Sequence, residues 1–306
     1  MQCSGIIESM SMPEEELMID CQPISDAAPV VIGGIGGSGT RVFAQLLRDL
    51  GFDMGSDLNE SLDDLGFTAL FKRRNLWPIC DHINDLSRAL EIFLTSRGAP
   101  SPKFISEAEQ KARTRQLIAS ISSDTPWLES GSIAQRLEGL CEVSPISSLW
   151  GWKEPNTHIV LPFLLQAMPN LTYIQIVRDG RDMAHSANKN QLALWGNLLM
   201  PGQVVNDECP QDAFNYWCAA HQRIMKLAQA HPRRVYLVTL ESFVEKPEKS
   251  LDLLLNSLNN LPITKTARDL QMGIKAPKST SRHLNYDPLV ATEAQRKLLG
   301  SLGYTW

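Results

Sequence analysis

A short apolar run that ends in a cluster of glycines is the feature that most restricts the fold. Residues 29–32 (PVVI) predict a strand, residues 33–40 (GGIGGSGT) are rich in glycine, and residues 41–50 repeat apolar side chains at helical spacing. Glycines at a strand-to-helix junction let backbone N–H groups curl around an anion, and the helix N-terminus favours negative charge. The segment therefore predicts a phosphate-binding loop.

Three further apolar runs, each followed by a helical pattern, predict more strands. They cover residues 149–152, 171–177 and 234–240. Strands that alternate with helices are typical of an α/β fold with a central parallel sheet flanked by helices.

The domain organisation follows from the same patterns. Residues 61–149 are mostly helical in pattern, so we expect a helical insertion there, within one domain that spans residues 29–306. Residues 1–28 are polar and acidic and predict a flexible tail.

Composition excludes several classes of protein. A chain of 306 residues with 43% hydrophobic content supports one large core. Its net charge of −5 argues against a nucleic-acid partner, which requires a broad basic surface. The six cysteines show neither a C-x-x-C pair nor metal-ligand spacing, which predicts reduced thiols and no metal. Without a signal sequence or a run of ~18 apolar residues, we expect a cytoplasmic protein with no membrane span.

The glycine loop by itself leaves the nucleotide open. Gly34, Gly36 and Gly39 match the dinucleotide fingerprint, but residues 51–55 (GFDMG) are a poor second strand for the acid expected about 20 residues later. A P-loop reading places Thr40 where the lysine belongs, a serious defect for an ATP or GTP enzyme.

The second motif is residues 177–186 (VRDGRDMAHS), again at the end of a predicted strand. The Arg178 guanidinium offers bidentate donors to a phosphate, and Ser186, two helical turns on, adds a hydroxyl. An ordinary ion pair of Arg178 with Asp179 or Asp182 is the alternative. The stretch resembles the sulfotransferase motif in which an arginine and a serine at this spacing hold the 3′-phosphate of 3′-phosphoadenosine 5′-phosphosulfate (PAPS).

This resemblance implies a P-loop-like sulfotransferase fold that uses PAPS as donor and needs no metal. The glycine loop then corresponds to the family's 5′-phosphosulfate loop, commonly a basic residue followed by Ser-Gly-Thr. Here Gly37 occupies the basic position, and Arg41 stands where heparan-type members carry a basic residue. The implied contacts of the loop with the donor are Gly36, Gly37, Ser38, Gly39, Thr40 and Arg41.

The third motif is residues 151–158 (GWKEPNTH). It resembles the lysine-x-proline segment of protein-tyrosine sulfotransferases and their bacterial relatives, in which the lysine reaches the bridging oxygen of the donor. The resemblance implies that Lys153 supplies the charge that Gly37 lacks, stabilising negative charge in the transition state. A plain surface lysine is the alternative.

Several residues are candidates for the base that accepts the acceptor's proton. In the tyrosine-type enzymes a glutamate follows the loop by about two dozen residues, which makes Glu60 the first candidate here and Asp57 the second. His158 and His82 are weaker candidates, since a histidine in such a position is more often simply packed or solvated.

A basic, hydroxyl-rich segment near the C-terminus lies where the family closes over the nucleotide. The resemblance implies that Lys278, Ser281 and Arg282 contact phosphate, with a plain surface loop as the alternative.

The leading hypothesis is a sulfotransferase that moves the sulfuryl group of PAPS to a hydroxyl or amine of a small-molecule, glycan or peptide acceptor. Two alternatives stay open. Gly37 favours a nucleotide-binding relative with little turnover, and the three glycines alone favour a dinucleotide-dependent oxidoreductase.

Overall fold

A parallel sheet organises the chain. The computed structural model describes residues 19–99, 108–109, 112, 115–116, 136, 139–140, 147–265, 270 and 276–306. Within these residues the sheet has the strand order β2-β1-β3-β4. The strands are β1 (Val30–Gly34), β2 (Gly151–Lys153), β3 (Thr172–Val177) and β4 (Val235–Thr239). The predicted α/β fold with a central parallel sheet is confirmed, and each strand begins within two residues of its predicted start.

Helices surround the sheet. They are α1 (Thr40–Asp49), α2 (Leu65–Phe71), α3 (Ile83–Ser96), α4 (Thr157–Ala167), α5 (Gly180–Ala184), α6 (Asn190–Leu199), α7 (Pro210–Ala230), α8 (Leu240–Glu245), α9 (Pro247–Ser257) and α10 (Glu293–Ser301). Short 3-10 turns cover Arg74–Leu76, Ile79–His82 and Arg282–Asn285. Both α2 and α3 fall in the predicted helical insertion, whereas most of residues 100–146 lie outside the described residues.

The register of the sheet brings three strand ends to one edge. Gly34 of β1 pairs with Ile176 of β3, and Ile32 of β1 pairs with Lys153 of β2, all in parallel. From β1 the chain leaves to β2 on one side and returns to β3 on the other. Such a reversal of strand order opens a crevice at the carboxyl ends of the central strands, where α/β proteins bind ligands.

Apolar side chains cover both faces of the sheet. Val30 and Ile32 of β1 belong to one cluster, with Phe43 of α1 and Phe243 of α8. Val31 belongs to a larger cluster built from α2, α3, α4 and α7. Because β1 is buried on both faces, its sequence is a continuous apolar run, as is usual in parallel sheets.

Trp152 joins the described part of the insertion to the sheet. Its indole is fully buried and stacks on Phe67 of α2, with ring centroids 5.0 Å apart, and meets Phe93 of α3 edge-on at 5.2 Å. Aromatic pairs at such separations add to the free energy of burial.

The segment before β1 is packed rather than loose. Ile19 and Ile24 are buried in the larger cluster, and the Ile24 N–H donates to the Ala167 carbonyl at the end of α4, 2.7 Å away. The expected flexible tail is therefore wrong for residues 19–28, while residues 1–18 lie outside the described residues. The apolar residues of this segment are scattered without helical or strand periodicity, so the sequence pattern does not predict this contact.

Two expectations from the sequence, the lack of a membrane span and the presence of reduced cysteines, can be compared with the described residues. Within the described ranges, no helix has both the length and the apolar character needed to cross a bilayer. Cys21, Cys80, Cys209 and Cys218 carry free thiols.

We expect Trp152→Ala to lower the free energy of unfolding by about 3–5 kcal/mol, because it empties a site that several rings enclose. Urea denaturation measures this difference. The control Leu253→Ala alters a side chain that is 62% exposed and should change stability by less than about 0.5 kcal/mol. Equal effects of the two substitutions would contradict this account of the core.

Candidate functional site

The glycine loop turns sharply between β1 and α1. Gly37 and Gly39 have φ angles of 92° and 91°, in the left-handed region that glycine adopts without strain. Ser38 and Thr40 are buried, and the Ser38 hydroxyl has no hydrogen-bond partner within the described residues. Since buried hydroxyls are normally satisfied, an anion oxygen bound by the loop is a fitting partner for Ser38. Arg41 is exposed on the first turn of α1.

Arg178 at the end of β3 reaches this loop. Its side chain is only 5% exposed, and its guanidinium donates to the Gly37 carbonyl at 3.3 Å and to the Ser279 hydroxyl at 2.8 Å. The alternative ion pair with Asp182 is present only as a longer contact of 3.9 Å, and Asp179 pairs with Arg181 instead. Arg178 thus faces the glycine loop.

Ser186 also lies close to Gly37. A side chain added at Gly37 would come within 3.4 Å of the Ser186 hydroxyl. The path to Ser186 differs from the expected two helical turns, because α5 ends at Ala184 and the chain then turns. Arg178 and Ser186 nevertheless both lie beside Gly37.

The C-terminal basic segment closes over the same place. Besides the contact of Ser279 with Arg178, Arg282 donates to the His185 carbonyl at 3.0 Å, and Lys278 and Ser281 are exposed. Sequence reasoning missed Ser279, whose only signal was its place in a hydroxyl-rich loop. The loop, the end of β3 and this turn, which we call the C-terminal turn (residues 278–285), therefore lie together.

Lys153 is buried rather than a surface lysine. It is 2% exposed, donates to the Ser61 carbonyl at 2.8 Å and forms an ion pair with Asp63. The Asp64 N–H also donates to the Lys153 carbonyl, at 2.8 Å, which fixes this stretch to the end of β2. Sequence analysis missed Asp63, because residues so far apart in the chain give no local signal of contact.

A model of the sulfotransferase family matches residues 29–264. The chain belongs to this family. No curated protein matches the chain.

Solved sulfotransferase structures resemble the chain at low identity. The sulfotransferase domain from the curacin biosynthetic pathway is 16% identical, with a TM-score of 0.44, over 92% of this chain and 99% of that one. The sulfotransferase domain of the olefin synthase from Synechococcus PCC 7002 is 14% identical, with a TM-score of 0.46, over 93% and 97%. Sulfotransferase STF9 from Mycobacterium avium is 13% identical, with a TM-score of 0.40, over 92% and 76%.

The two acidic base candidates of this sulfotransferase-family chain lie in different settings. Asp57 is exposed and forms an ion pair with Arg136, whereas Glu60 is exposed in the next turn of the chain. Both belong to the segment that carries Asp63, and so lie in the same part of the chain as Lys153's partner.

The histidine candidates fit the role of base poorly. His158 is fully buried, and its Nε2 lies 3.2 Å from the Gln191 side-chain oxygen. Burial, with a smaller effect of Arg223, lowers the pKa of His158 to about 3. A side chain enclosed in the core is not open to an acceptor, which argues against His158 as the base. His82 lies 3.7 Å from Asp85, at the start of α3.

Glu154, next to Lys153, is a buried carboxyl that sequence reasoning passed over. It accepts hydrogen bonds from the main chain and the side chain of Asn156, at 2.6 Å and 2.7 Å. Burial raises its pKa from 4.5 to about 7, which the Lys72 charge and the Asn156 hydrogen bonds oppose. The end of β2 thus carries a lysine and a carboxyl that is part protonated near neutrality.

Glu154→Gln should change how stability depends on pH. The folded chain keeps the Glu154 proton up to about pH 7, whereas the unfolded chain loses it near pH 4.5, so this group's contribution to stability is lost as pH rises through 7. Glutamine does not titrate. We therefore expect the free energy of unfolding of the variant, minus that of the unmodified chain, to rise by about 3 kcal/mol between about pH 4 and about pH 8.

Urea denaturation at a series of pH values measures this difference. Glu248→Gln, at an exposed position on α9, is the control for the substitution itself. Parallel pH curves for Glu154→Gln and the unmodified chain would show that Glu154 ionises alike in both states.

Proposed function

We propose that the chain transfers the sulfuryl group of PAPS to a hydroxyl or amine of a small-molecule, glycan or peptide acceptor. The observation that carries this proposal is the meeting of the glycine loop, Arg178 and Ser186 around Gly37, at the crevice between β1 and β3. Two anion-binding elements side by side suit a donor that carries phosphate at both its 5′ and 3′ positions.

The two ends of the donor are proposed to bind different elements. The 5′-phosphosulfate lies on the backbone N–H groups of residues 36–41 at the N-terminus of α1, where the buried Ser38 hydroxyl and Thr40 supply further donors. The 3′-phosphate lies between Arg178 and Ser186, under the C-terminal turn with Lys278, Ser281 and Arg282. A guanidinium can hold such a phosphate with two parallel hydrogen bonds.

Lys153 is proposed to act at the sulfuryl end. Two of its N–H donors serve Ser61 and Asp63, and the third is the one that the bridging oxygen of the donor would take. The pairing with Asp63 fixes the ammonium in place before the donor arrives. A fixed cation stabilises the charge that grows on the bridging oxygen without reorganising during the reaction.

The proposed reaction is an in-line displacement. The acceptor oxygen or nitrogen forms a bond to sulfur, the bond between sulfur and the bridging oxygen breaks, and its electron pair stays on the 5′-phosphate. The acceptor's proton passes to a carboxylate, for which Glu60 is the first candidate because Asp57 is engaged with Arg136. The products are the sulfated acceptor and adenosine 3′,5′-bisphosphate.

A second candidate function is nucleotide binding with little turnover. Two observations favour this second function. Gly37 replaces the loop's usual cation, and Asp63 partly neutralises the charge of Lys153. Incubation with sulfur-labelled PAPS and a panel of phenols, sugars and peptides separates the two functions. Tight binding of adenosine 3′,5′-bisphosphate without transfer to any acceptor would support the second function, and stabilisation by NAD alone would support a dinucleotide enzyme.

Arg178→Ala should weaken binding of adenosine 3′,5′-bisphosphate by about 1.5–3 kcal/mol and leave binding of AMP nearly unchanged, because only the former carries a 3′-phosphate. Calorimetry with both ligands measures the difference. Arg181→Ala is the matched control, since the Arg181 guanidinium pairs with Asp179 and should not affect the preference. Equal losses for the two ligands would refute the assignment of Arg178.

Lys153→Ala should lower kcat by about 100-fold or more, because one fixed stabiliser of the transition state is lost. Affinity for adenosine 3′,5′-bisphosphate should stay nearly unchanged, since that product lacks the sulfuryl group. Steady-state kinetics and calorimetry on the same preparations measure both. Arg41→Ala is the comparison: loss of turnover there, with Lys153→Ala nearly silent, would place the missing charge in the loop instead.

A further inference from the structure

Asp182 is a buried carboxylate beside the proposed 3′-phosphate site that the function above does not use. It lies on α5 and is 2% exposed. Its oxygens accept from the main-chain N–H of Ser281 at 2.7 Å, from the main-chain N–H of His283 at 3.1 Å and from the His283 ring at 2.6 Å. The Arg178 guanidinium lies 3.9 Å from the same oxygen that accepts from Ser281.

A carboxylate next to a phosphate site is unfavourable unless its charge is satisfied elsewhere. Most donors to Asp182 come from one short segment, the C-terminal turn. Burial alone would raise the pKa of Asp182, but the hydrogen bonds from His283 and Ser281 outweigh it and keep its pKa below the ordinary value. The Asp182 charge is therefore stabilised mainly by hydrogen bonds from the C-terminal turn, and the nearby Arg178 guanidinium stabilises it further.

The C-terminal turn needs such an anchor. Ser281 has a φ angle of 59°, a conformation that costs free energy in a residue other than glycine. Leu284 is 75% exposed, and in the part of the turn that the structure describes no side chain is fully buried. Among the described residues, the turn also contacts the rest of the chain through Ser279 with Arg178 and Arg282 with the His185 carbonyl, and directly after it the Tyr286 ring stacks on His185 at 4.1 Å.

We propose that Asp182 is a positioning residue that clasps the C-terminal turn over the 3′-phosphate end of the donor site and keeps Arg178 directed into it. This inference rests on the proposed function, since it assigns the selectivity for a 3′-phosphate to a residue that does not touch the phosphate. Without the clasp, the turn opens and the phosphate loses Ser281, Arg282 and Lys278 together.

Asp182→Asn tests the clasp with little change in shape. The amide retains one accepting oxygen but places an NH₂ group against an N–H donor of the turn, so two donors face each other. We expect affinity for adenosine 3′,5′-bisphosphate to fall about tenfold or more and affinity for AMP to change by less than about twofold. Trypsin should cut faster after Lys278 and Arg282, both in the C-terminal turn.

Asp179→Asn is the matched control. It makes the same change at another buried carboxylate. Asp179 forms its ion pair with Arg181 and not with the C-terminal turn. We expect the preference for adenosine 3′,5′-bisphosphate over AMP and the rate of cleavage at Lys278 to match those of the unmodified chain.

The outcomes separate the clasp from the proposed function. If Asp182→Asn binds both ligands as the unmodified chain does, or loses both equally, the clasp is wrong while the preference of the unmodified chain still supports a PAPS site. If the unmodified chain itself does not prefer adenosine 3′,5′-bisphosphate to AMP, the proposed donor is wrong, and the trypsin pattern alone then decides whether Asp182 anchors the turn.

His283→Ala gives a milder test at a side chain that is 18% exposed. The Asp182 carboxylate and its bond to Ser281 remain, so the fold is kept even where Asp182→Asn does not fold. We expect about threefold weaker binding of adenosine 3′,5′-bisphosphate with AMP unchanged, and faster trypsin cleavage in the turn. Unchanged values for both measurements would overturn the clasp.

Discussion

The in-register pairing of β1 with β3 is the interaction on which the rest of the structure depends. Since the two strands are parallel and Gly34 lies opposite Ile176, the glycine loop and Arg178 leave the sheet side by side. The proposed binding of two phosphates of one nucleotide depends on both motifs. A slip of this pairing by one residue would move every side chain of β3 to the opposite face of the sheet.

The core also fixes the backbone that carries Arg178. The Trp217 indole of α7 donates to the Arg178 carbonyl at 3.1 Å, and His221 lies 2.8 Å from the Trp217 carbonyl one turn further on. Gly180 makes this close approach possible, because a side chain there would come within 2.5 Å of the Trp217 ring. The Arg178 guanidinium thus extends from a backbone position that packed neighbours hold in place. It supplies local positive charge in a chain whose overall charge is negative.

Local sequence predicted what depends on local pattern. The strands, the glycine loop after β1 and the place of Arg178 directly after β3 all follow from runs of adjacent residues, and the α/β fold with its central parallel sheet is confirmed. The contacts of Lys153 with Asp63 and of Arg178 with Ser279 join distant segments through packing, so no spacing rule shows them. The roles proposed for these residues stay predictions.

Burial explains the remaining differences between what the sequence predicts and what the structure shows. His158 is the last residue of the motif at residues 151–158, yet α4 directs its side chain into the core, since that helix is apolar on nearly all sides. A histidine on a helix without a polar face has nowhere else to lie. Ile19, Ile24 and Ala27 belong to the core for a different reason, because a few apolar side chains in a polar stretch suffice to cover the end of a helix.

The long separation between β1 and β2 has a consequence for the newly made chain. β1 is synthesised early, but its neighbours Gly151 to Lys153 and Thr172 to Val177 come far later in the sequence. At about 5–20 residues per second, the wait is on the order of ten seconds. During that time an apolar strand has both of its edges unpaired, a state prone to association with other chains. The strand that later lies at the centre of the sheet is therefore open to such association while the rest of the sheet is still being made.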